Sequence, residues 1–293
     1  MSVYVCRRCN YEQSEQWEGT CPRCGGFYRA KKVGVDSDEQ KGRSTFAAAD
    51  EVKKTYIPTG VEGFDRVIGG GLVAGSPILF GGFRGVGKTT LLCCIVDGIA
   101  KTKGRALYAS SEESVDGVLS IAHRLGLRTN DVSVLGNQHT VERVIEHADK
   151  MRPRPFVVVY DSLQKYVSDT SSAAAGSPAQ DSAVAAAVLA YCRRTKTCAI
   201  IVNQMAKSGE MKGGTDAAHA VDTVLIFAFP KDGDEDAPDE KDIRVLLCDG
   251  KNRNGPENIK SYWRMNSVGV LEEVQGRSLL DETPRRGKYS RRS

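Results

Sequence analysis

The sequence predicts an α/β protein: a mostly parallel sheet with helices on both faces, antiparallel strands at its C-terminal edge, and a small four-cysteine zinc-binding module in front. Three observations carry this. Apolar bursts of strand length occur at 77–82 (PILFGG), 105–110 (RALYAS), 155–161 (PFVVVYD), 198–204 (CAIIVNQ) and 222–229 (DTVLIFAF). Helical segments separate the earlier ones, the pattern of a parallel sheet covered on both faces. After Asp222 strand-like runs follow one another without helices, through IRVLLCDG, NIKSYWRM and VGVLEEV, as expected of strands added antiparallel at an edge. Four of the nine cysteines fall within the first 24 residues, as two Cys-x-x-Cys pairs.

The expected organisation is a cysteine module at 1–26, a polar linker of mixed charge at 27–54, the α/β core at 55–276 and a basic tail at 277–293. Hydrophobic content of 40% and charged content of 27% are ordinary for a globular chain. No apolar run approaches the roughly 18 residues that span a bilayer, and MSVYVCRRCN lacks the order of a secretion signal. The expectation is a cytoplasmic protein with no membrane partner. The net charge of +4 is local: the last ten residues hold five Lys/Arg and no acid, leaving the remainder at −1. Whole-chain charge therefore makes no case for nucleic acid; local patches must.

Cys6-x2-Cys9, eleven residues, then Cys21-x2-Cys24 is the spacing of a four-thiolate zinc site. Each pair brings two sulfurs to one ion from a tight turn, and four thiolates leave no open coordination position, so the zinc is structural. A module this short buries too little to fold without its metal. A redox pair or free thiols are the plainer alternatives. Cys93, Cys94, Cys192, Cys198 and Cys248 fall in predicted helix or strand and read as small core residues.

The run GFRGVGKT, Gly82 to Thr89, fits G-x-x-x-x-G-K-[ST] in full and joins an apolar strand to the helix TTLLCCIVDGIAK. Backbone N–H groups of such a loop curl around phosphates, and the helix N-terminus adds its dipole. Gly82, Gly85, Gly87, Lys88, Thr89 and Thr90 are the candidate nucleotide contacts, with Lys88 on the β- and γ-phosphates and Thr89 on magnesium. Asp161 ends the β-branched run VVVYD, where a second magnesium-orienting group belongs; alone, such a residue is more often a turn or cap. ASSEES ends another strand and offers Glu112, ahead of Glu113, as the base that polarises attacking water. The plain alternative is a cap, with Ser111 as N-cap and Glu113 in the first turn.

VNQM brings Asn203 and Gln204 to a further strand end, within reach of a γ-phosphate or its water. Two loops rich in small and polar residues, 168–181 and 205–219, are expected to be mobile and to line a nucleic-acid channel. Lys207, Lys212 and Lys165 are candidate phosphate contacts, although neither loop carries an aromatic for base stacking. The acidic stretch 231–242 reads as a solvated hairpin tip. GKNRNG, Gly250 to Gly255, reads by itself as a turn with solvated charges. The tail cations Arg285, Arg286, Lys288, Arg291 and Arg292 either contact phosphates or merely solubilise a disordered end.

Taken in order, YVCRRCNYEQSEQWEGTCPRCGGF, TGVEGFDRVIGGGLVAGS, GFRGVGKTTLL, ALYASSEES, VVVYDS and GKNRNG resemble the bacterial RadA (Sms) family of DNA repair ATPases. The resemblance covers nearly the whole chain. It implies a RecA-like P-loop core in a homo-hexameric ring, similar to replicative ring helicases. The implied activity is ATP-driven movement on single-stranded DNA, with branch migration of recombination intermediates. Zinc and magnesium with ATP are the implied cofactors, and a recombinase or replication protein is the implied partner of the zinc module. Cys6, Cys9, Cys21, Cys24, Lys88, Thr89, Asp161, the Glu112–Glu113 pair, Lys251 and Arg253 carry over, the last two as catalytic cations supplied by the neighbouring subunit. Three departures stand out. The family continues into a Lon-protease-like domain that this sequence lacks. Asn254 stands where the late motif usually has an aromatic. VNQM looks more like the RecA recombinase. Two further readings share the fold: a nucleotide-switched scaffold or signalling ATPase without DNA activity, and a RecA-type strand-exchange protein.

Overall fold

In the computed structural model the five apolar bursts form the middle of a nine-stranded mixed sheet. The structure describes residues 54–205 and 216–277, together with 2–6, 12–13, 21, 23–24 and 28–32. The chain divides into two compact units, Met1–Lys54 and Thr55–Ser293.

In the first unit β1 (Ser2–Cys6) is the central strand of a three-stranded antiparallel sheet, between β2 (Glu12–Gln13) and β3 (Tyr28–Lys32). Residues 28–32, read from sequence as linker, thus pair with β1, and Cys6 lies opposite Tyr28 in the register.

The second unit opens with a short hairpin-like pair, β4 (Tyr56–Ile57) with β5 (Leu72–Val73), around α1 (Glu62–Ile68). Then follow β6 (Pro77–Gly82), α2 (Lys88–Lys103), β7 (Ala106–Ser110), α3 (Val115–Arg124), β8 (Val132–Leu135), α4 (Val141–Lys150) and β9 (Val157–Asp161). A 3-10 turn at Leu163–Lys165 leads towards α5 (Pro178–Thr195), β10 (Cys198–Gln204), α6 (Asp216–Ala220) and β11 (Thr223–Ala228). The last three strands are β12 (Ile243–Asn252), β13 (Lys260–Met265) and β14 (Leu271–Val274). The strand order is β14-β13-β12-β11-β6-β10-β9-β7-β8. The strands from β8 to β11 are parallel, and β12, β13 and β14 extend the edge antiparallel.

Because both faces of the central strands are covered, they read as continuous apolar runs rather than alternating ones. On one face Leu92, Ile95 and Ile99 of α2 pack with Phe80, Tyr108, Val159 and Ile200. On the other, Val184, Val188 and Cys192 of α5 pack with Leu79, Val158 and Ile201. Fully burying one such aliphatic side chain stabilises the fold by about 1.5–3 kcal/mol, so this double layer fixes the strand ends that carry the site. Cys93, Cys192, Cys198 and Cys248 are buried in these layers. Burial pushes the thiols of Cys93, Cys192 and Cys198 up to about 12, which leaves them unreactive.

Several local expectations are refined. The helix α3 buries only Val118 and leaves Val115 and Leu119 exposed, because it lies at the sheet margin. The small-residue loop ends earlier than 181: Ser177 caps α5, accepting from the Gln180 N–H at 3.4 Å, with Pro178 in the first turn. The acidic stretch 231–242 folds back on the sheet. Lys260 pairs with Asp234 at 2.9 Å, Arg264 with Glu240 at 2.9 Å, and Arg277 with Asp239 at 3.0 Å.

One buried charge is costly. Asp181 in α5 is fully buried, and neither carboxylate oxygen has a hydrogen-bond partner. Desolvation raises its pKa from 3.8 to about 6. A carboxyl whose folded pKa is raised loses stability as pH climbs from the unfolded value through the folded one. Asp181→Asn is therefore expected to be more stable than the parent by about 1–3 kcal/mol above pH 6. The advantage should vanish towards pH 4, as denaturant melts at the two pH values would show.

Candidate nucleotide site

The phosphate loop leaves β6 at Gly82 and enters α2 at Lys88. Gly87, at the helix N-cap, has φ +101°, a left-handed conformation that side-chain-bearing residues rarely hold. A Cβ there would also come within 2.7 Å of the Met265 methyl. Lys88 Nζ donates to the Gly82 and Phe83 carbonyls at 2.9 and 2.8 Å, which holds it inside the loop. Its pKa is lowered, chiefly by burial, while the carboxylates of Asp161 and Glu112 oppose the shift.

Asp161 ends β9 beside β7, where its carboxylate accepts from the buried Tyr108 hydroxyl at 2.6 Å and faces Thr89 Oγ1 at 3.5 Å. Burial raises its pKa, the Tyr108 bond works against that, and Glu112 adds to it. A divalent cation at Thr89 and Asp161 would offset the cost of that buried charge. The residues fit magnesium in their chemistry, a hydroxyl and a carboxylate at the phosphate end of the loop.

Ser110 and Ser111 shape the strand end that carries the acidic pair. Ser110 Oγ accepts from the Glu112 and Glu113 backbone N–H groups at 3.2 and 2.8 Å. Ser111 is not the helix cap. Its hydroxyl is buried against the Asp161 and Ser162 backbone, and Ser114 caps α3 instead, accepting from the Gly117 N–H at 3.1 Å. Glu113 thus lies before the helix, and the capping alternative fails. Glu112 Oε1 accepts from Ser162 Oγ and from Gln204 Nε2, each at 2.5 Å. Gln204 is held in turn by Gln164, whose side-chain oxygen accepts its backbone N–H at 3.3 Å and whose amide donates to the buried Asn203 side chain.

Gly85, Gly87, Lys88, Thr89, Thr90, Glu112, Glu113, Asp161 and Gln204 line one cavity of about 520 Å³. Four further lining residues escaped the sequence reading: Arg84, Arg124, Met265 and Gly269. Arg124, at the end of α3, donates to the Val268 carbonyl at 3.0 Å and to that of Gly269, and approaches Thr90 Oγ1 at 3.5 Å. It ties the β13–β14 turn to the start of α2, closing the cavity beyond Thr90. The signal that could have found Arg84 is its place inside the phosphate loop; Arg124 and the turn are remote in sequence and gave no signal.

Lys251 and Arg253 do not line this cavity. Asn252 lies opposite Thr223, and Thr223 opposite Ile78, so the motif flanks the start of β6, four residues before Gly82. At ~3.3 Å per strand residue that is roughly 13 Å along the sheet. Lys251 Nζ donates to the Ala218 and His219 carbonyls at 2.9 and 2.8 Å. Arg253 pairs with Asp222 at 3.2 Å and remains largely exposed. Asn254 anchors the turn by polar contacts: its amide donates to Ser76 Oγ at 2.7 Å, and its carbonyl accepts from the Tyr56 hydroxyl at 2.6 Å.

Of the four N-terminal cysteines, Cys21 and Cys24 have described side chains; Cys9 and the Cys6 side chain lie outside the described residues. Cys21 is buried, and its sulfur accepts the Arg23 backbone N–H at 3.4 Å across a turn. That turn suits a metal-binding pair, because a backbone N–H directed at sulfur stabilises a thiolate. Lys207, Lys212 and the tail cations also lie outside the described residues, and Lys165 is exposed at the 3-10 turn.

The family model for the KaiC ATPase matches residues 57–175. The chain is 32% identical to the DNA repair protein RadA of Haemophilus influenzae over 294 residues, 95% of this chain and 61% of that protein. It is likewise 32% identical to RadA of Aquifex aeolicus, over 93% of this chain and 60% of that protein. The figure for RadA of Mycobacterium tuberculosis is again 32%, over 97% of this chain and 59% of that protein. It thus spans about 60% of the length of these relatives. Among solved structures, a KaiC-like protein of Pyrococcus horikoshii superposes with TM-score 0.59 at 16% identity, covering 75% of this chain and all of that one. The fold is that of a RecA/KaiC-like P-loop ATPase, with a parallel core and antiparallel C-terminal strands.

Proposed function

We propose that this chain is a RadA-type motor ATPase that acts on single-stranded DNA and hydrolyses ATP at sites shared between neighbouring copies in a hexameric ring. The observation that carries the reading is the placement of Glu112. It lines the same cavity as Lys88 and Thr89, held by Gln204 and Ser162. A carboxylate fixed in this way can orient and deprotonate the attacking water, with Glu113 as its less constrained neighbour. Lys88 neutralises the β- and γ-phosphates, and Thr89 with Asp161 holds magnesium, which supplies charge neutralisation at the transferring phosphoryl. Gln204 touches Glu112 directly, so loss of the γ-phosphate is relayed to the segment after β10. Arg124, Met265 and Gly269 close the cavity beyond Thr90.

Lys251 and Arg253, too far along the sheet to serve their own cavity, serve the neighbour's. Branch migration and recruitment of a recombinase or replication protein by the N-terminal unit are further parts of this proposal, supported by the RadA likeness. Lys88→Ala is expected to remove hydrolysis stimulated by single-stranded DNA, with the fold intact by circular dichroism; retained stimulation would sink the reading. DNA binding itself should weaken steeply with salt, as phosphate contacts release counterions.

The four-cysteine site is proposed to bind one structural zinc through Cys6, Cys9, Cys21 and Cys24. Elemental analysis should return one zinc per chain, and chelation should unfold Met1–Lys54 while the second unit keeps its melting transition. Absence of zinc from protein purified without chelator would refute this part. A second reading, a nucleotide-switched scaffold without DNA activity, draws on the KaiC family match. It predicts hydrolysis indifferent to DNA and no salt-sensitive binding.

A further inference from the structure

The outer strands present Ile226, Val245, Leu247 and Tyr262 on one face, and the acidic loop 231–242 covers it, with Ala237 packed among them. Between loop and strands lies a groove of about 820 Å³. Its floor is apolar, and Phe229 there stays 48% exposed. Its rim is acidic. The loop carries seven acids against two lysines. Lys260, Arg264 and Arg277 pair with Asp234, Glu240 and Asp239. Among the described residues no cation pairs with Asp232, Glu235 or Asp249, all three exposed groove-lining carboxylates.

The chain leaves the described region at this loop. The Arg277 N–H donates to the Asp236 carbonyl at 2.8 Å, and its guanidinium holds Asp239. The residues that follow, 278–293, carry five cations and two acids, with Leu279, Leu280 and Tyr289 as apolar groups. Sixteen residues reach up to roughly 55 Å, so every part of the groove is accessible from Arg277.

We propose that residues 278–293 fold back into this groove within the same chain, their cations against Asp232, Glu235 and Asp249 and their apolar side chains on its floor. Each exposed ion pair is weak, but the tether raises the effective concentration of the tail at the groove into the millimolar range. The docked state is therefore salt-sensitive. It also withholds five cations from any polyanion, so the segment acts as a self-masking basic arm rather than a constant contact. This inference does not rest on the proposed DNA activity.

Two experiments on the full chain test it. Lys288 is the single lysine of the segment. Zero-length carbodiimide coupling should join its amine to Asp232, Glu235 or Asp249, leaving the product at monomer size on a denaturing gel. In parallel, D232N/E235Q/D249N should let trypsin cleave after Arg285 and Arg286 about tenfold faster at low salt, the summed effect of three weak pairs. High salt should bring the parent to the same rate. The three side chains are exposed, so an unchanged melting temperature verifies the fold. The proposal is overturned if Lys288 couples elsewhere or to another copy, or if Lys207 or Lys212 takes these carboxylates in its place. Equal cleavage rates in parent and variant would overturn it as well.

Discussion

Glu112→Gln is expected to lower the rate of ATP hydrolysis by about 10²–10⁴-fold while leaving magnesium–ATP binding nearly unchanged, the signature of a lost general base. The substitution keeps the shape and the contacts to Ser162 Oγ and Gln204 within reach of an amide, so the local structure survives. What disappears is the negative charge proposed to take the proton from water. Glu113→Gln is the control. Glu113 also lines the cavity, but none of the cavity's polar side chains fixes its carboxylate, and it should cost far less. Single-turnover hydrolysis beside fluorescent-nucleotide binding separates the two effects. If Glu112→Gln hydrolysed at the parent rate, water activation would have to be assigned elsewhere, and Glu113 would be the first alternative.

Arg253→Ala is expected to reduce hydrolysis by about 10³-fold, the low end for an arginine supplied to a phosphoryl-transfer site. Its effect on the stability of the isolated chain should be small, because its ion pair with Asp222 is exposed and worth about 0–1 kcal/mol. A large catalytic loss without a stability loss is what distinguishes action on a neighbour's nucleotide from a structural role in the turn. Lys251 differs. It is expected to show both losses, since its ammonium holds the last carbonyls of α6. Comparing melting temperature with turnover for the two variants makes that contrast measurable.

The parts of this site that were legible in the sequence are those fixed by local chemistry. A phosphate loop announces itself because glycines, lysine and threonine must occur at fixed spacing between a strand and a helix. Asp161 and the Glu112–Glu113 pair were legible because β7 and β9 are short, fully buried runs whose ends are unambiguous. What remained hidden depends on tertiary neighbours. β8 was missed because Val132–Leu135 is a short, half-buried edge strand with no strong apolar burst. Arg124 was unremarkable at the end of a helix until the β13–β14 turn, some 145 residues later, came to rest against it. The acidic loop read as a solvated tip because its partners, Lys260, Arg264 and Arg277, arrive from later strands. Asn254 shows the same limit. It stands where the family's motif has an aromatic, and its amide finds Ser76, far upstream in sequence.

The central claim is that each nucleotide cavity is completed by a second copy of the chain, and mixing inactive subunits tests it most directly. Lys88→Ala lacks the cavity's own lysine; Arg253→Ala lacks the cation proposed to act on the neighbour's nucleotide. In randomly mixed assemblies at equal ratio, roughly a quarter of the head-to-tail interfaces combine an intact Lys88 with an intact Arg253. Hydrolysis should then return to roughly a quarter of the parent rate, although each variant alone is inactive. Mixed assemblies of parent size with no more activity than either variant alone would contradict the account.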